Sequence, residues 1–551
     1  MLEKEIKAYA LRNAIEYGKA SPDRILPKLF QHGLQKENIK EIMPEIKKIT
    51  DEVNALSKED QQTIFANYKD MIKERVEKEK TLPELPNAIQ GKVLTRIAPE
   101  PSKYLHIGHA ISFLLNSFYA EKYKGKCLIR FDDANPEKVS QDYVDSILDD
   151  IKNYLAIKPN KIKFISDDMK IFYQYAEKLI KDNHAFMCFC DREKMQKLRH
   201  DGIECSCRQK DTKTQMKEWK DFLKGKYKVG KAVLRIKGNM QDSNHVMRDP
   251  VIFRSVKEAH FRTKTKYKVW PMYDFYSPVE DSIMGVTHIL RSNEFDQRVP
   301  LHNLISHLLK LKQQEIIQYG RFNVMDATTK GREIRDLIKS GEFIGWDDPR
   351  LVTLKALKRR GITKEAFLEL LNHIGLVKHD VNLDFNMIAS INRKIIDPIA
   401  KRYYFVDNPL ELDIKNAPST LQIEIPIHPN NPKVLREVRV TPGKVYISKK
   451  DFNEFKGKEV RLLHLYNIKL PSKGSKAEFT SIENKDIPKI TWVSFPQKAK
   501  VLMPDGSWVE GLADENIREL KVDSIIQFER FGFVRLDKIS KQAYEFWFAH
   551  R

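Results

Sequence analysis

Apolar positions follow three different patterns along the chain. Residues 1–80 carry them at the three- and four-residue spacing of an amphipathic helix, among many lysines and glutamates, which predicts a small helical domain. The stretch T-L-P-E-L-P-N (81–87), with two prolines, predicts a linker. Short apolar strands then alternate with amphipathic helices up to residue 405, an order that predicts a parallel, doubly wound α/β sheet.

The start of the α/β region shows this alternation clearly. K-V-L-T-R-I (92–97) predicts a strand, and apolar residues at helical spacing from Ala110 onward predict a helix after a short loop. C-L-I-R-F (127–131) predicts the next strand. We expect a second helix to begin at Asn135 and Pro136, a pair that is typical of a cap and a first turn.

Beyond residue 405 the pattern changes to short alternating runs separated by Pro, Gly, Asn and Asp, such as K-V-Y-I, E-V-R-L-L-H-L, I-T-W-V and F-V-R-L. Such runs predict β-barrels. The expected fold class is therefore multidomain, with a Rossmann-like, doubly wound α/β domain between an N-terminal helical domain and C-terminal β-barrels.

Length and composition narrow the class of protein. A chain of 551 residues is too long for a single core, so several domains are expected. Lysine and arginine number 97 against 76 acidic residues, a net charge of +21, which points to a polyanion such as nucleic acid or reflects a lysine-rich proteome. There is no run of about 18 apolar residues, so we predict no membrane span and expect a cytoplasmic protein.

Two histidines surround a lone glycine where the first strand leads into its helix, in P-E-P-S-K-Y-L-H-I-G-H-A (99–110). At the carboxyl end of a parallel strand they would face a ligand beside unpaired helix N–H groups. His106 and His109 could then donate to phosphate oxygens as the α-phosphate of a nucleotide becomes five-coordinate, while Gly108 leaves room for a flat group. The alternative is a pair of ordinary surface histidines at a helix start.

Four of the five cysteines form two close pairs, C-F-C and C-S-C, which comprise Cys188, Cys190, Cys205 and Cys207. Four thiolates brought together by two turns predict a tetrahedral, structural Zn²⁺ site in a small zinc ribbon. Two alternatives stay open: a relic without metal, and a site in which His200 replaces one thiolate. Cys127 stands alone in a predicted strand and is expected to be packed in the core.

These motifs together resemble the class I aminoacyl-tRNA synthetases of the glutamyl/glutaminyl group. The resemblance starts with R-I-A-P-E-P-S-K-Y-L-H-I-G-H-A and R-F-D-D-A-N-P and runs in order from residue 90 to the end of the chain. It continues through P-M-Y-D-F (271–275), G-V-T-H-I-L-R (285–291), G-W-D-D-P-R-L (345–351), K-R-R-G-I-T (358–363), H-P-N (428–430), G-K-E-V-R-L (457–462) and I-Q-F-E-R-F-G-F (526–533). The N-terminal helical domain and the β-barrels resemble the archaeal type of the glutamyl enzymes. Lys103 stands where this family usually has glycine, and we expect a small local change there.

The resemblance implies a role for each part of the chain. We expect an N-terminal helical domain at 1–85, a catalytic domain in two parts at 86–185 and 271–325, an inserted acceptor-binding region with a zinc knuckle at 186–270, a helical connecting domain at 326–405, and anticodon-binding β-barrels at 406–551. The resemblance leaves the task of residues 1–80 open.

The resemblance also implies where ATP binds. His106 and His109 would stabilise its phosphates during attack by the amino-acid carboxylate, with Pro99, Glu100 and Gly108 beside them. Mg²⁺ on the phosphates follows from the chemistry.

The second nucleotide motif of the family is degenerate in this chain. The candidate is A-T-T-K-G-R-E-I (327–334), in which Lys330 would reach the leaving pyrophosphate and Arg332 is the alternative. An ordinary basic loop is the other interpretation.

The amino-acid pocket is implied in the same way. Asp132 would hold the substrate ammonium and Tyr273 would line the pocket. Arg291, where glutamyl enzymes place arginine, would pair with the side-chain carboxylate, and Arg96 could supply a second guanidinium. The alternative is that Arg291 pairs with Glu294 and only stabilises the fold.

We therefore expect a monomeric ligase that uses ATP to join L-glutamate to tRNA(Glu), with tRNA(Gln) as an open second substrate; a glutaminyl enzyme is the alternative. A smaller nucleotidyltransferase of the same superfamily would lack the barrels, and a non-catalytic RNA-binding relative would be expected to lose the histidines. The resemblance of I-Q-F-E-R to a family element that touches the anticodon makes Gln527 and Arg530 candidates for tRNA binding. Lys489 and Lys500 are weaker candidates, for which an ordinary solvated surface is the alternative.

Overall fold

The computed structural model describes residues 2–68, 71–72, 82–325 and 328–551, except for the side chains of residues 17 and 36. The chain divides into two compact units, residues 1–79 and residues 80–551. The described helices are α1 (Glu3–Tyr17), α2 (Pro22–Leu29), α3 (Ile39–Asn54), α4 (Lys58–Ala66), α5 (Ile107–Lys122), α6 (Gln141–Asp149), α7 (Met169–Lys181), α8 (Arg192–Asp201), α9 (Thr212–Leu223), α10 (Tyr273–Ile283), α11 (Val299–Leu309), α12 (Gly331–Lys339), α13 (Leu354–Arg359), α14 (Lys364–Ile374), α15 (Phe385–Ile396) and α16 (Lys449–Glu454).

The described strands of the second unit fall into an α/β part and a β-rich part. They are β1 (Leu94–Ile97), β2 (Lys126–Phe131), β3 (Lys161–Phe164), β4 (Ala185–Cys188), β5 (Val233–Ile236), β6 (Val251–Ser255), β7 (Val269–Pro271), β8 (His288–Ser292), β9 (Glu315–Tyr319), β10 (Phe322–Val324), β11 (Val381–Leu383), β12 (Arg402–Tyr403), β13 (Phe405–Asp407), β14 (Pro409–Lys415), β15 (Gln422–Pro426), β16 (Leu435–Arg439), β17 (Lys444–Ser448), β18 (Glu459–Leu462), β19 (Asn467–Lys469), β20 (Lys476–Ser481), β21 (Lys489–Ile490), β22 (Trp492–Val493), β23 (Gln497–Leu502), β24 (Trp508–Ala513), β25 (Ile525–Phe528), β26 (Gly532–Ile539) and β27 (Tyr544–His550).

The first unit is helical, as its apolar spacing predicts. Helices α1 to α4 pack through one apolar cluster in which Ile6, Leu11, Ile25 and Ile46 are fully buried. The hydroxyl of Ser57 accepts the backbone N–H of Asp60 and so caps α4.

The second unit begins with a Rossmann-like sheet. Strands β1, β2 and β3 pair in parallel, and so do β8 and β9. Hydrogen bonds join Leu94 at the start of β1 to Thr287 just before β8, with N···O distances of 2.8 and 2.9 Å, so β8 lies beside β1. Because the carboxyl ends of parallel strands share one edge, the loops after β1, β2 and β8 meet there.

An antiparallel sheet is inserted between the two parts of this α/β fold. It has the order β4-β5-β6-β7 and packs on α7 and α9 through an apolar cluster that includes Phe172, Trp219 and Phe253. The chain returns from β7 into α10 and then β8.

The β-rich part contains two seven-stranded sheets, β12-β25-β26-β27-β23-β24-β13 and β21-β18-β19-β20-β14-β17-β22. In each sheet the two edge strands are consecutive in the chain, with only Tyr404 between β12 and β13 and only Thr491 between β21 and β22. Each sheet therefore curls back towards its own first strand, and edges are largely removed.

The predicted fold class is confirmed, but the structure places the starts of two predicted helices elsewhere. The helix expected from Ala110 begins at Ile107, and the helix expected at Asn135 begins only at Gln141 after Ser140. The Asn135 prediction is wrong because the Asn135 side chain accepts a hydrogen bond from Arg254 Nη2 (2.7 Å) and does not cap a helix. Among the helices in the described part of the chain, none is long and apolar enough to cross a membrane.

Candidate active site

Two imidazoles lie at the start of α5, at the carboxyl edge of the parallel sheet. His106 caps the helix by accepting the N–H of Gly108 on Nδ1 (3.2 Å), and the N–H of His106 donates to Nδ1 of His109 (3.2 Å). The two ring centroids are 3.9 Å apart. Because each Nδ1 accepts a hydrogen bond, the proton of each neutral ring belongs on Nε2, where it is available to a ligand.

Both rings are uncharged near neutral pH. Burial lowers the pKa of His106 to about 3, and the charge of Lys103 contributes to the same shift. Burial lowers the pKa of His109 far below its usual value, with smaller contributions from His106 and Lys103. The pair thus forms two neutral N–H donors at a helix N-terminus, an arrangement suited to phosphate oxygens.

The histidine loop is fixed by the segment that contains G-W-D-D-P-R-L. The N–H of Ile107 donates to the Val352 carbonyl (3.2 Å), and the N–H of Leu354 donates to the Leu105 carbonyl (2.8 Å). A Cβ on Gly108 would lie 3.1 Å from Cε1 of His106 and 3.3 Å from the carbonyl oxygen of Phe322. Protein atoms therefore occupy that side of Gly108, and a flat ligand group could approach only from another direction.

Asp132 lies at the end of β2 and is buried. Arg130 donates to both of its oxygens, from Nε to Oδ1 (2.7 Å) and from Nη2 to Oδ2 (3.1 Å), and the Tyr276 hydroxyl donates to Oδ2 (3.3 Å). The Asp132 N–H donates to the Pro99 carbonyl (3.0 Å), which ties this strand end to the histidine loop. A carboxylate has about four lone-pair positions, so the three bonds leave one on Oδ1 for an ammonium group.

Asp281 on α10 organises the positive charges of this edge. It is fully buried, and its Oδ1 accepts from Nη1 of Arg130 (2.7 Å) and from Nε of Arg96 (3.1 Å). Burial alone would raise the pKa of this carboxyl, but Arg130 and Arg96 hold it below its usual value. Sequence reasoning missed Asp281, Arg130 and Tyr276. Only Arg130 had a usable signal, since it lies two positions before Asp132 on the same strand face.

Arg291, at the end of β8, is buried, and some of its N–H donors have no hydrogen-bond partner in the described chain. Its Nη1 donates to the Tyr273 hydroxyl (3.3 Å) and lies 3.4 Å from Nδ1 of His302. Its Nε and Nη2 are buried without a hydrogen-bond partner in the described chain. Glu294 pairs with Arg321 and accepts from Ser292 instead, so the fold-stabilising Arg291–Glu294 pair is not formed.

Lys330 immediately precedes α12 and is exposed. Its Nζ pairs with Glu333 at 2.8 Å, and that bond raises the pKa of Lys330. Of the candidate motif 327–334, residue 327 lies outside the described residues.

The four paired cysteines meet at one point of the inserted region. Their sulfur atoms all lie within 4.8 Å of one another, and Cys188 Sγ is 3.9 Å from Cys205 Sγ. Sulfurs held around Zn²⁺ at about 2.3 Å are about 3.8 Å apart, so the donor set fits the ion. His200 pairs with Asp201 and is not part of the cluster, which favours four thiolates over the mixed site.

A buried arginine faces this thiol cluster. Nη1 of Arg235 lies 3.7 Å from the sulfurs of both Cys188 and Cys205. Its Nε donates to the Asp249 carbonyl (2.7 Å), which fixes the guanidinium in place. Four thiolates on a divalent ion would carry excess negative charge, which the guanidinium of Arg235 is placed to offset. The fifth cysteine, Cys127, is buried in β2, and burial raises the pKa of its thiol to about 11.

The tRNA-binding candidates differ in how strongly the protein already engages them. Gln527 on β25 has a buried Oε1 without a partner in the described chain. Arg530 is held by both oxygens of Asp451 on α16, at 2.6 and 2.8 Å, and so joins the two barrels. Lys500 pairs with Glu545 (3.1 Å), whereas Lys489 is exposed on the short strand β21.

Arg96 thus binds Asp281 directly, and Asp132, beside the histidine loop, is joined to Asp281 through Arg130. Tyr273 bonds to Arg291, whose charge acts on Asp281. The cysteine cluster and the barrel residues lie on other elements.

Family models match almost the whole second unit. Residues 92–398 match the model for the catalytic domain of tRNA synthetases class I (E and Q). Residues 400–485 and 481–537 match two models for the anti-codon binding domain of the same group.

Curated relatives extend the match over the full length. The chain is 38% identical over 573 residues to the glutamate–tRNA ligase of Pyrococcus furiosus, and the alignment covers 100% of both chains. It is 38% identical over 565 residues to the glutamate–tRNA ligase of Pyrococcus abyssi, and this alignment covers 98% of both chains. It is 35% identical over 561 residues to that of Methanocaldococcus jannaschii, with 100% of both covered. The chain therefore belongs to the class I tRNA synthetases of the glutamate and glutamine group.

Proposed function

We propose that this protein ligates L-glutamate to tRNA(Glu) through a glutamyl-adenylate. The relatives that match it along their full length carry the name glutamate–tRNA ligase. The observation that carries the choice of amino acid is the buried guanidinium of Arg291, with Nε and Nη2 left unpaired.

Charge balance supports glutamate over glutamine. Arg96, Arg130 and Arg291 face two carboxylates, Asp132 and Asp281, so one positive charge is in excess at this edge. A substrate carboxylate would neutralise it and accept two parallel charge-assisted bonds from Arg291. The NH₂ group of a glutamine amide would face an N–H of the Arg291 guanidinium, and the buried positive charge of Arg291 would stay unpaired.

In the first step, a carboxylate oxygen of glutamate attacks the α-phosphorus of ATP and pyrophosphate leaves. The Nε2–H groups of His106 and His109 donate to the phosphate oxygens as charge builds on them. The free lone pair of Asp132 Oδ1 accepts from the substrate ammonium, and the Tyr273 hydroxyl borders the side chain. Mg²⁺ bound to the phosphates would supply further charge neutralisation.

In the second step, the terminal ribose hydroxyl of tRNA attacks the glutamyl carbonyl and AMP leaves. The inserted region with its four-cysteine cluster would hold structural zinc and receive the acceptor end. The unpaired Oε1 of Gln527 supports a contact with an anticodon base edge in the barrels. Lys489 is a weaker candidate for the same surface, and Lys330 for the leaving pyrophosphate.

The proposal extends to the setting of the reaction. We place the enzyme in the cytoplasm, where thiols stay reduced and can hold zinc, and expect it to act as a monomer, which sedimentation would check. The decisive experiment is aminoacylation with both amino acids against both tRNAs. Glutamate joined to tRNA(Glu) is the expected result. Activation of glutamine as efficiently as glutamate would overturn the assignment in favour of a glutaminyl enzyme, and product with tRNA(Gln) would define its second substrate.

A further inference from the structure

Lys103 lies in the loop between β1 and α5, three residues before His106. This loop faces the segment that leads into α12. A Cβ built on Gly331 would lie 3.5 Å from the Cβ of Lys103, so the base of the Lys103 side chain lies next to the candidate nucleotide motif. Lys103, in the histidine loop, thus lies beside the second segment that we assign to ATP, the candidate motif 327–334.

The charge of Lys103 is close to both imidazoles. Its positive charge contributes to lowering the pKa of His106 and of His109. Within the described residues, the Lys103 ammonium has no ion pair or hydrogen bond. A half-buried cation without a counterion, beside two neutral N–H donors, is suited to a polyanion.

Lys330 offers a contrast on the other side of the same contact. Its side chain is 78% exposed and its Nζ is already paired with Glu333 at 2.8 Å. It would have to leave that pair before binding a phosphate. Lys103, by contrast, has no ion pair to break within the described residues before it binds a phosphate.

We propose that Lys103 is a catalytic residue of this enzyme, whose ammonium binds the β- and γ-phosphates of ATP and stabilises the leaving pyrophosphate. This inference rests on the proposed function and adds a cation to it. The P–O bond to the β-phosphate breaks as the carboxylate attacks, and Lys103 offsets the negative charge that moves onto pyrophosphate. No proton transfer is required of it.

Lys103→Met keeps the length and apolar body of the side chain and removes its charge. ATP–pyrophosphate exchange, measured with glutamate and with or without tRNA, should slow roughly 10- to 100-fold, because one stabilising charge is lost from the transition state. The KM for pyrophosphate in the reverse reaction should rise. Lys103→Arg should restore most of the rate. The control is Lys126→Met, an exposed lysine at the opposite end of β2, which should behave as wild type.

A second measurement separates catalysis from folding. Affinity for a sulfamoyl analogue of glutamyl-adenosine, which lacks the β- and γ-phosphates, should be equal in wild type and Lys103→Met. An equal loss for this analogue and for pyrophosphate would assign Lys103 a structural role and overturn the proposal, as would an unchanged exchange rate.

Failure of the proposed function would be recognisable separately. A wild-type protein that performs no exchange with glutamate would refute the function, whereas calorimetric titration with inorganic pyrophosphate would still test Lys103. Weaker binding by Lys103→Met supports the contact, and equal binding by the two proteins refutes it.

Discussion

At the scale of single residues, His109 has two separable tasks. Its Nδ1 accepts the N–H of His106, and its Nε2–H is free to donate to phosphate. His109→Ala should depress ATP–pyrophosphate exchange by roughly 10²–10³, the effect of one lost transition-state donor, and change glutamate affinity little.

Two variants distinguish these tasks. His109→Asn can still accept the His106 N–H but lacks the distal donor, so it should be as slow as His109→Ala; His109→Gln should recover part of the rate. His307→Ala, at an exposed histidine of α11, is the control. Unchanged exchange in His109→Ala would contradict the role of this loop.

Arg291 governs the choice between glutamate and glutamine. An unpaired buried charge facing the amide costs about 3.5 kcal/mol, which corresponds to discrimination of several hundredfold in the wild type. Arg291→Cys should lose most glutamate activation and narrow this preference, as measured by exchange with each amino acid.

Thermal unfolding provides the matched comparison. Removing Arg291 leaves no buried carboxylate without its partner, so Arg291→Cys should stay folded. Arg130→Ala strips Asp132 and Asp281 of a shared guanidinium and should unfold at a clearly lower temperature. Full selectivity retained by Arg291→Cys would refute its assignment.

At the scale of elements, the turns that follow β4 and α8 bring four thiols to one point. Protein purified without chelator should contain about one zinc per chain by elemental analysis. Cys188→Ser should lower the zinc content and weaken tRNA charging more than adenylate formation, because the cluster lies in the inserted region. Cys127→Ser, at the buried cysteine of β2, should keep its zinc. Four freely titrating thiols and no metal would contradict the site.

At the scale of the whole molecule, the two barrels are joined by Arg530 and Asp451. Arg530→Ala leaves Asp451 buried without its bidentate partner, and should lower the free energy of unfolding by about 1–2 kcal/mol after allowance for the partial exposure of Arg530. Gln527→Ala removes a group whose oxygen has no partner, so stability should hold while the KM for tRNA rises. Denaturant unfolding and charging kinetics measure both effects. A Gln527→Ala enzyme with normal tRNA kinetics would remove Gln527 from the proposed interface.

The local patterns of the sequence were sufficient for the elements and for the candidate chemistry. Short apolar strands that alternate with amphipathic helices predicted the Rossmann-like start, and short alternating runs predicted the β-rich end. The histidine loop and the paired cysteines were visible as short motifs. These features depend on neighbours a few residues away, so sequence alone determines them. The Asn135 cap failed because its side chain is drawn away by Arg254, 119 positions further along the chain.

The charge arrangement of the site was decided only by the tertiary structure. Asp281 binds Arg130 from 151 positions away and Arg96 from 185, and no local pattern marks a buried acid on α10 as their partner. The same holds for Arg530, which the sequence offered as an RNA contact and the fold pairs with Asp451. The cost of burying a charge is met by whichever opposite charge the packing brings near. That choice depends on how the elements assemble, which local periodicity does not specify.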